Sequence, residues 1–384
     1  MKKSLLALAA LGMFAGAAQA QSSVTLYGIA DAGLIYTSNV GGSHMFSLNS
    51  GIASGSRFGL MGSEDLGGGL KAIFRLENGY NINNGGLGQG GRMFGRQAYV
   101  GMSGAAWGTL TAGRQYNAMQ DYLAPLDIAS VNTSIMTHPF DNDNLNNTFR
   151  TDNSIKYATP IIAGFQAEAM YSFSNSTSFA SNRAYTVGLN YSNGPLKAAA
   201  AYAFSQGNGV SGGALQSSTS GGSVYGSNAL GSAVRINQWG AGATYAFGPA
   251  TIGLLYTGSL FNTGWGAGVA TPFGTTGTAV TGQLRFQNIE GSFRYMLTPA
   301  LQLAVGETYT RATLSGVGGG NYWQTNLGTD YNLSKRTDLY TTVAYQKTSS
   351  GLPAAVAAAG SESEAAFASG SNQVVVSIGM RHKF

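Results

Sequence analysis

The sequence predicts an all-β fold, a transmembrane antiparallel β-barrel of about 16 strands, an even number that returns both termini to one side. Three observations predict it. Apolar and polar residues alternate with period two from the first segments of the chain to the last. Connections alternate between short turns and long polar loops. The composition, with 57 glycines, 20 tyrosines and 10 % charged residues, disfavours helix and suits strands joined by turns. A mean hydropathy near zero is what one greasy and one wet face average to. After residue 20 no stretch supplies the roughly 18 uninterrupted apolar residues that a membrane helix needs. Any passage through a bilayer is therefore made by strands.

The chain opens on a leader. Lys2 and Lys3 form its charged start, Leu5 to Ala18 its apolar run, and Ala18-Gln19-Ala20 a small-x-small cleavage site, which divides the chain into a signal peptide, 1–20, and a barrel domain, 21–384. The run is too short to span a bilayer, so a retained helical anchor is the weaker reading. Without the two leader lysines, 19 basic residues face 16 acidic ones, a surplus of +3 that is too small to point to nucleic acid. There is no cysteine, although an exported chain could use disulfides. Stability must come from strand pairing and packing, and thiolate metal sites and cysteine nucleophiles are excluded.

The first strand alternates Val24, Leu26, Gly28, Ala30, Ala32, Leu34 and Tyr36 with Thr25, Tyr27, Ile29, Asp31, Gly33 and Ile35. The last alternates Val374, Val376, Ile378, Met380, His382 and Phe384 with Val375, Ser377, Gly379, Arg381 and Lys383. A closed barrel pairs these two strands and leaves no edge. Between them, tight turns fall at 64–69, 104–108, 158–162, 192–195, 248–249, 297–299 and 334–336. Long loops fall near 37–55, 80–91, 115–148, 174–182, 205–233, 260–281, 315–320 and 348–370. Fifteen connections join sixteen strands. A soluble β-sandwich or a repeat adhesin also has regular short strands, but neither has a reason to keep short connections on one edge and long ones on the other. Aromatics recur near strand ends at Tyr171/Phe173, Tyr202/Phe204, Tyr245/Phe247 and Tyr309, where interfacial girdles belong.

The same alternation places candidate functional residues. Lys71, Ile73, Arg75 and Glu77 face away from Ala72, Phe74 and Leu76, and an arginine among lipid tails would cost about 2–4 kcal/mol at the midplane, so Arg75 points inward. Arg57 points inward opposite Phe58 and Leu60. Parity alone leaves Arg96 undecided, since it shares a face with Ala98, Val100 and Met102. Arg150 opens a strand after the longest loop, on the face of Asp152, Ser154 and Lys156. That loop, Gln115 to Thr148, the third external one, mixes Asp121, Asp127, Asp141 and Asp143 with Tyr122, Leu123, Leu126 and Ile128. Apolar residues in such a loop predict that it folds inward. Its acids, Asp121 and Asp127 foremost, would then face wall arginines and set up a transverse field.

Enzyme chemistry finds little support. The three histidines, His44, His138 and His382, lie beside no evident Ser/Asp constellation and share no ligand spacing, so neither a catalytic centre, a metal site nor a cofactor is expected.

Several segments taken together resemble a known family. They are Val24-Thr25-Leu26-Tyr27-Gly28, Ser56-Arg57-Phe58-Gly59, Gly62-Ser63-Glu64-Asp65-Leu66-Gly67, Arg96-Gln97-Ala98-Tyr99-Val100-Gly101, Gly108-Thr109-Leu110-Thr111-Ala112-Gly113-Arg114, Asn153-Ser154-Ile155-Lys156-Tyr157 and Gly379-Met380-Arg381-His382-Lys383-Phe384. Their combination resembles the general porins of beta-proteobacteria and neisserias. The resemblance implies an outer-membrane homotrimer of sixteen-stranded barrels, each with a water-filled pore narrowed by the third external loop. It implies passive diffusion of small hydrophilic solutes and inorganic ions, with the wall arginines and positive surplus favouring anions. It carries an arginine ladder onto Arg57 and Arg96, and onto Arg75 and Arg150, which sets Arg96 in the lumen. Phe384 resembles the signal read by the outer-membrane insertion machinery. A substrate-specific outer-membrane channel is the alternative, since sugar-selective barrels line their lumen with aromatics.

Overall fold

The computed structural model describes residues 23–148, 150–207, 234–265, 270–271, 274–275, 280–349, 351–356 and 367–384. The expected signal peptide and much of the loops expected at 205–233, 260–281 and 348–370 lie outside the described residues.

The strands of the barrel sheet are β1 (Ser23–Val40), β2 (Ser43–Ser50), β3 (Arg57–Gly67), β4 (Leu70–Gly79), β5 (Gln97–Gly104), β6 (Gly108–Gln115), β7 (Thr151–Ala158), β8 (Phe165–Ser172) and β9 (Ala184–Asn193). They continue with β10 (Leu196–Gly207), β11 (Val234–Phe247), β12 (Ala250–Trp265), β13 (Val280–Thr298), β14 (Leu301–Leu314), β15 (Gly318–Asn332), β16 (Thr337–Thr348) and β17 (Asn372–Lys383). All pairings are antiparallel, and Ile29–Thr37 of β1 pairs with Val375–Lys383 of β17, so the sheet closes on itself. β2 and β3 occupy one stave. β1 pairs with β2 from Ala32 upward and with β3 from Ile29 downward, and the closed barrel thus has sixteen staves.

The region 37–55 is not the loop that its polarity suggests. β1 runs on to Val40, turns through Gly41 and Gly42 at φ +60° and +100°, and returns as β2. A two-residue hairpin with positive φ at both positions matches the twist of the flanking strands, and glycine adopts it without a Cβ clash. The stave then breaks at 51–56, because the carboxylate of Asp31 accepts the backbone N–H groups of Ile52 (3.1 Å), Ala53 (3.0 Å) and Ser54 (2.7 Å). Backbone that has left the ladder is satisfied there by a side chain.

The faces follow the alternation. Val24, Leu26, Leu34, Ile378 and Met380 are exposed on the outside, while Asp31, Ile35, Val375 and Ser377 are buried on the inside. Aromatic pairs stand near both rims, with Phe165 and Tyr191 at one end, ring centroids 4.5 Å apart, and Tyr185 and Phe204 at the other, 4.8 Å apart. Among the described residues no helix is long and apolar enough to cross a membrane. Among its described residues, the connection between β6 and β7 holds short helical turns, such as Met119–Leu123, Ile128–Val131 and Ser134–Met136.

Candidate functional site

Three guanidinium groups meet on one stretch of wall. Arg57, at the start of β3, donates from Nε to the carbonyl of Gly55 at 2.8 Å. Arg96 lies one residue ahead of β5, so strand parity does not fix its side chain. It turns inward, Nε donating to Glu77 Oε1 at 2.8 Å and Nη2 to the Tyr116 hydroxyl at 2.9 Å. Arg150, just before β7, places its guanidinium 5.7 Å from the centre of the Tyr116 ring, a cation–π contact. Burial and the neighbouring Arg96 charge lower its pKa to about 9, which leaves it cationic at neutral pH. Glu77 is the acid bound to this group, and it also accepts from Tyr27 at 2.8 Å. Arg75 lies further along the same inner face of β4, its guanidinium 5.7 Å from the Tyr27 ring.

Arg57, Arg96 and Arg150 line one cavity of about 290 Å³ together with Tyr80, Tyr116, Gly51 and Ala53 to Ser56, and with residues of the connection such as Gln120, Ala124, Ser130 and Asn146 to Thr148. No Asp or Glu is in that lining. The connection contributes only neutral groups to this lining, such as Gln120, Ser130 and Asn146. Asp121 is held at 2.6 Å by Lys156 of β7, and Asp127 is buried, its Oδ1 accepting the Ala129 N–H at 3.0 Å. Both are taken up by the wall or by the loop itself, because an unpaired carboxylate among apolar side chains is costly.

The connection that carries them packs against buried residues of many staves. Met119, Tyr122, Leu123 and Leu126 pack with Ala199, Ala201, Ala203 and Leu255. Phe140 packs with Ile236, Phe261, Phe286 and Tyr322, and Ile135 with Ile35, Tyr340 and Val375. Hydrogen bonds run from Thr133 to Thr342 at 2.9 Å and from Gln324 to the Thr137 carbonyl at 3.2 Å.

His138 of the same connection is fully buried. Its Nδ1 is 2.6 Å from Asp143 Oδ2 and its Nε2 is 3.2 Å from Glu290 Oε2. Burial disfavours the imidazolium, but Asp143, Glu290 and Asp127 outweigh it and raise the pKa well above its usual range. Burial pushes the Asp143 carboxyl up and the His138 charge pulls it further down, so the net direction is downward. Burial and then Glu290 push Asp127 well up. Among the described residues, the ligand-type atoms of Asp127, His138 and Glu290 lie within 4.8 Å of one another.

Sequence reasoning passed over Glu77, Tyr116, Arg92 and Arg114 as site residues. Arg92 and Arg114 both bind Asp152, Arg92 at 2.9 Å. Alternation gives no role to groups that lie in or beside the irregular segments. Phe384 follows β17 and lies against β1, where its backbone exchanges hydrogen bonds with Gly28 at 2.9 and 3.0 Å.

Comparison with known proteins agrees with this architecture. A family model described as Gram-negative porin matches residues 7–351. An outer membrane porin protein of Bordetella pertussis is 33 % identical over 433 aligned positions, covering 100 % of both chains. Outer membrane porin protein 32 of Delftia acidovorans is 32 % identical, also over 100 % of both. Among solved structures, an anion-selective porin from Comamonas acidovorans superposes with a TM-score of 0.71 at 26 % identity, covering 95 % of this chain and 100 % of that one. OmpT of Vibrio cholerae in its trimer form gives 0.68 at 14 % identity, over 94 % and 99 %. With a matching barrel, a family match over most of its length and relatives aligned from end to end, the chain belongs to the Gram-negative porin family and is an outer-membrane channel.

Proposed function

We propose that the connection 116–150 folds into the lumen and leaves the arginine-lined cavity as the narrowest passage. Small hydrophilic solutes and inorganic ions diffuse through it passively, without chemical conversion, and anions are favoured. The observation that carries this reading is the gathering of Arg57, Arg96 and Arg150 around a cavity with no acid in its lining. Fixed positive charge beside low-dielectric walls raises the local anion concentration and repels cations. The likeness to an anion-selective porin supports the same sign.

Asp121 and Asp127 act in this reading as fasteners of the loop, not as the negative plate of a transverse field. The trimer form of a structural relative supports assembly of three copies in outer-membrane lipid. Cleavage after Ala20 and recognition of Phe384 by the insertion machinery complete the biogenesis.

Single-channel recording in a planar bilayer under a salt gradient tests selectivity. The expected result is a reversal potential on the anion side, with the ratio of anion to cation permeability reduced several-fold in the Arg96→Gln/Arg150→Gln variant. A cation-sided reversal of the unmodified protein would overturn the reading. Before heating, the same preparation should migrate on a detergent gel as a trimer-sized species, and a monomer band alone would refute the assembly.

A further inference from the structure

We propose that Asp127, His138 and Glu290 form a divalent-cation site, best suited to zinc, that fastens the 116–150 connection to the barrel wall. Two ligands come from the connection and one from β13. The donor set of one imidazole nitrogen and two carboxylates is one that zinc accepts, commonly with a fourth position left to water or another oxygen.

Geometry, orientation and charge each support it. Zinc bonds of about 2.0–2.1 Å at the tetrahedral angle set ligand atoms roughly 3.3 Å apart. His138 Nε2 and Glu290 Oε2 are 3.2 Å apart. The other ring nitrogen, Nδ1, is 2.6 Å from Asp143 Oδ2. A metal-bound histidine almost always donates its second N–H to a carboxylate or carbonyl, which fixes the ring and makes it more basic. Asp143 is itself held by Thr257. The side chains of Asp127, His138, Asp143 and Glu290 therefore stand in the relation of ligands and an orienting partner.

An independent observation comes from the neighbouring strand. Thr308 of β14 is the cross-strand partner of Glu290, so the two side chains share the inner face. Its hydroxyl is buried and has no hydrogen-bond partner. It is a buried oxygen donor beside Glu290 on the same face, available to a metal as a further ligand or to a metal-bound water.

The charges point the same way. Asp127, Asp143 and Glu290 would surround a neutral imidazole, and Arg294, which interacts electrostatically with Glu290 and Asp127, offsets one of the three negative charges. A divalent cation neutralises the remaining two. Without one, protons must do so, since buried carboxylates without compensation are costly.

The test uses the purified full-length protein in detergent, stripped with a chelator and dialysed against Zn2+, with retained metal measured by mass spectrometry. One zinc per chain is expected, and none in His138→Gln or Glu290→Gln. Asp143→Asn should bind zinc about 10- to 100-fold more weakly, and His44→Gln and His382→Asn should bind it unchanged. Co2+ in the unmodified protein should give the intense visible absorption of a tetrahedral site, a readout that depends on no variant. A chain that retains no zinc, a weak octahedral cobalt spectrum, or zinc retained undiminished by folded His138→Gln would each overturn the proposal, the last marking adventitious surface binding only.

Discussion

One carboxylate, Asp31, breaks a stave of the barrel, and a second, Asp141, ties the long connection to itself. Asp141 accepts the backbone N–H of Asn146 at 3.0 Å and of Thr148 at 3.2 Å. Burial, and next the nearby Asp143 charge, push its pKa up to about 7, with those hydrogen bonds opposing. A carboxyl whose folded pKa exceeds its unfolded value favours the native arrangement when protonated. Its stabilising contribution is complete below the unfolded value of 3.8, declines above it, and is lost as pH rises through about 7. Amide exchange at Asn146 and Thr148 should therefore show protection factors that fall as pH rises across that window. Asp141→Asn, which cannot ionise, should flatten the dependence. Protection that stays constant or increases with pH would contradict the assignment.

At the scale of elements, room for the long connection is made by the staves it touches. A Cβ on Gly306 of β14 would lie 2.6 Å from Ile128 Cδ1, and one on Gly328 of β15 the same distance from Met136 Cε. Ile128 also donates its N–H to Glu290 at 3.0 Å. Gly306→Val should push this segment off the wall at a cost of about 1–3 kcal/mol, the usual penalty for overfilling a packed site. Because Ala129 and Ser130 beside Ile128 line the arginine cavity, single-channel conductance should fall and become noisier, while an unchanged conductance would show that the connection does not limit the passage. The staves themselves were legible because lipid enforces alternation residue by residue. The break at 51–56 was not, because its cause, Asp31, belongs to a different strand some twenty residues earlier. That Asp121 meets Lys156, and Asp127 meets Glu290, was not legible, because only folding brings those residues together. The histidines showed no ligand spacing for the same reason, as Asp127, His138 and Glu290 are neighbours in space and not in sequence.

Across the whole molecule, closure depends on the seam between β1 and β17. Gly28 and Phe384 exchange two backbone hydrogen bonds there, and a Cβ on Gly28 would meet the Phe384 ring at 2.2 Å. The ring therefore lies over a glycine and remains 46 % exposed. Truncating it removes little buried surface and leaves the backbone pair intact, so Phe384→Ala should lower the stability of refolded barrel by well under the roughly 3–5 kcal/mol typical of a buried phenylalanine. Deleting the residue altogether unpairs both backbone groups of Gly28, each worth about 1 kcal/mol net, and leaves an open corner at the rim. If the terminal aromatic serves chiefly as an address for assembly, Phe384→Ala should refold in detergent to a heat-modifiable barrel yet reach the outer membrane of cells in greatly reduced amount. Equal loss in both settings would make its role one of stability, and normal delivery in cells would remove it from the assembly signal.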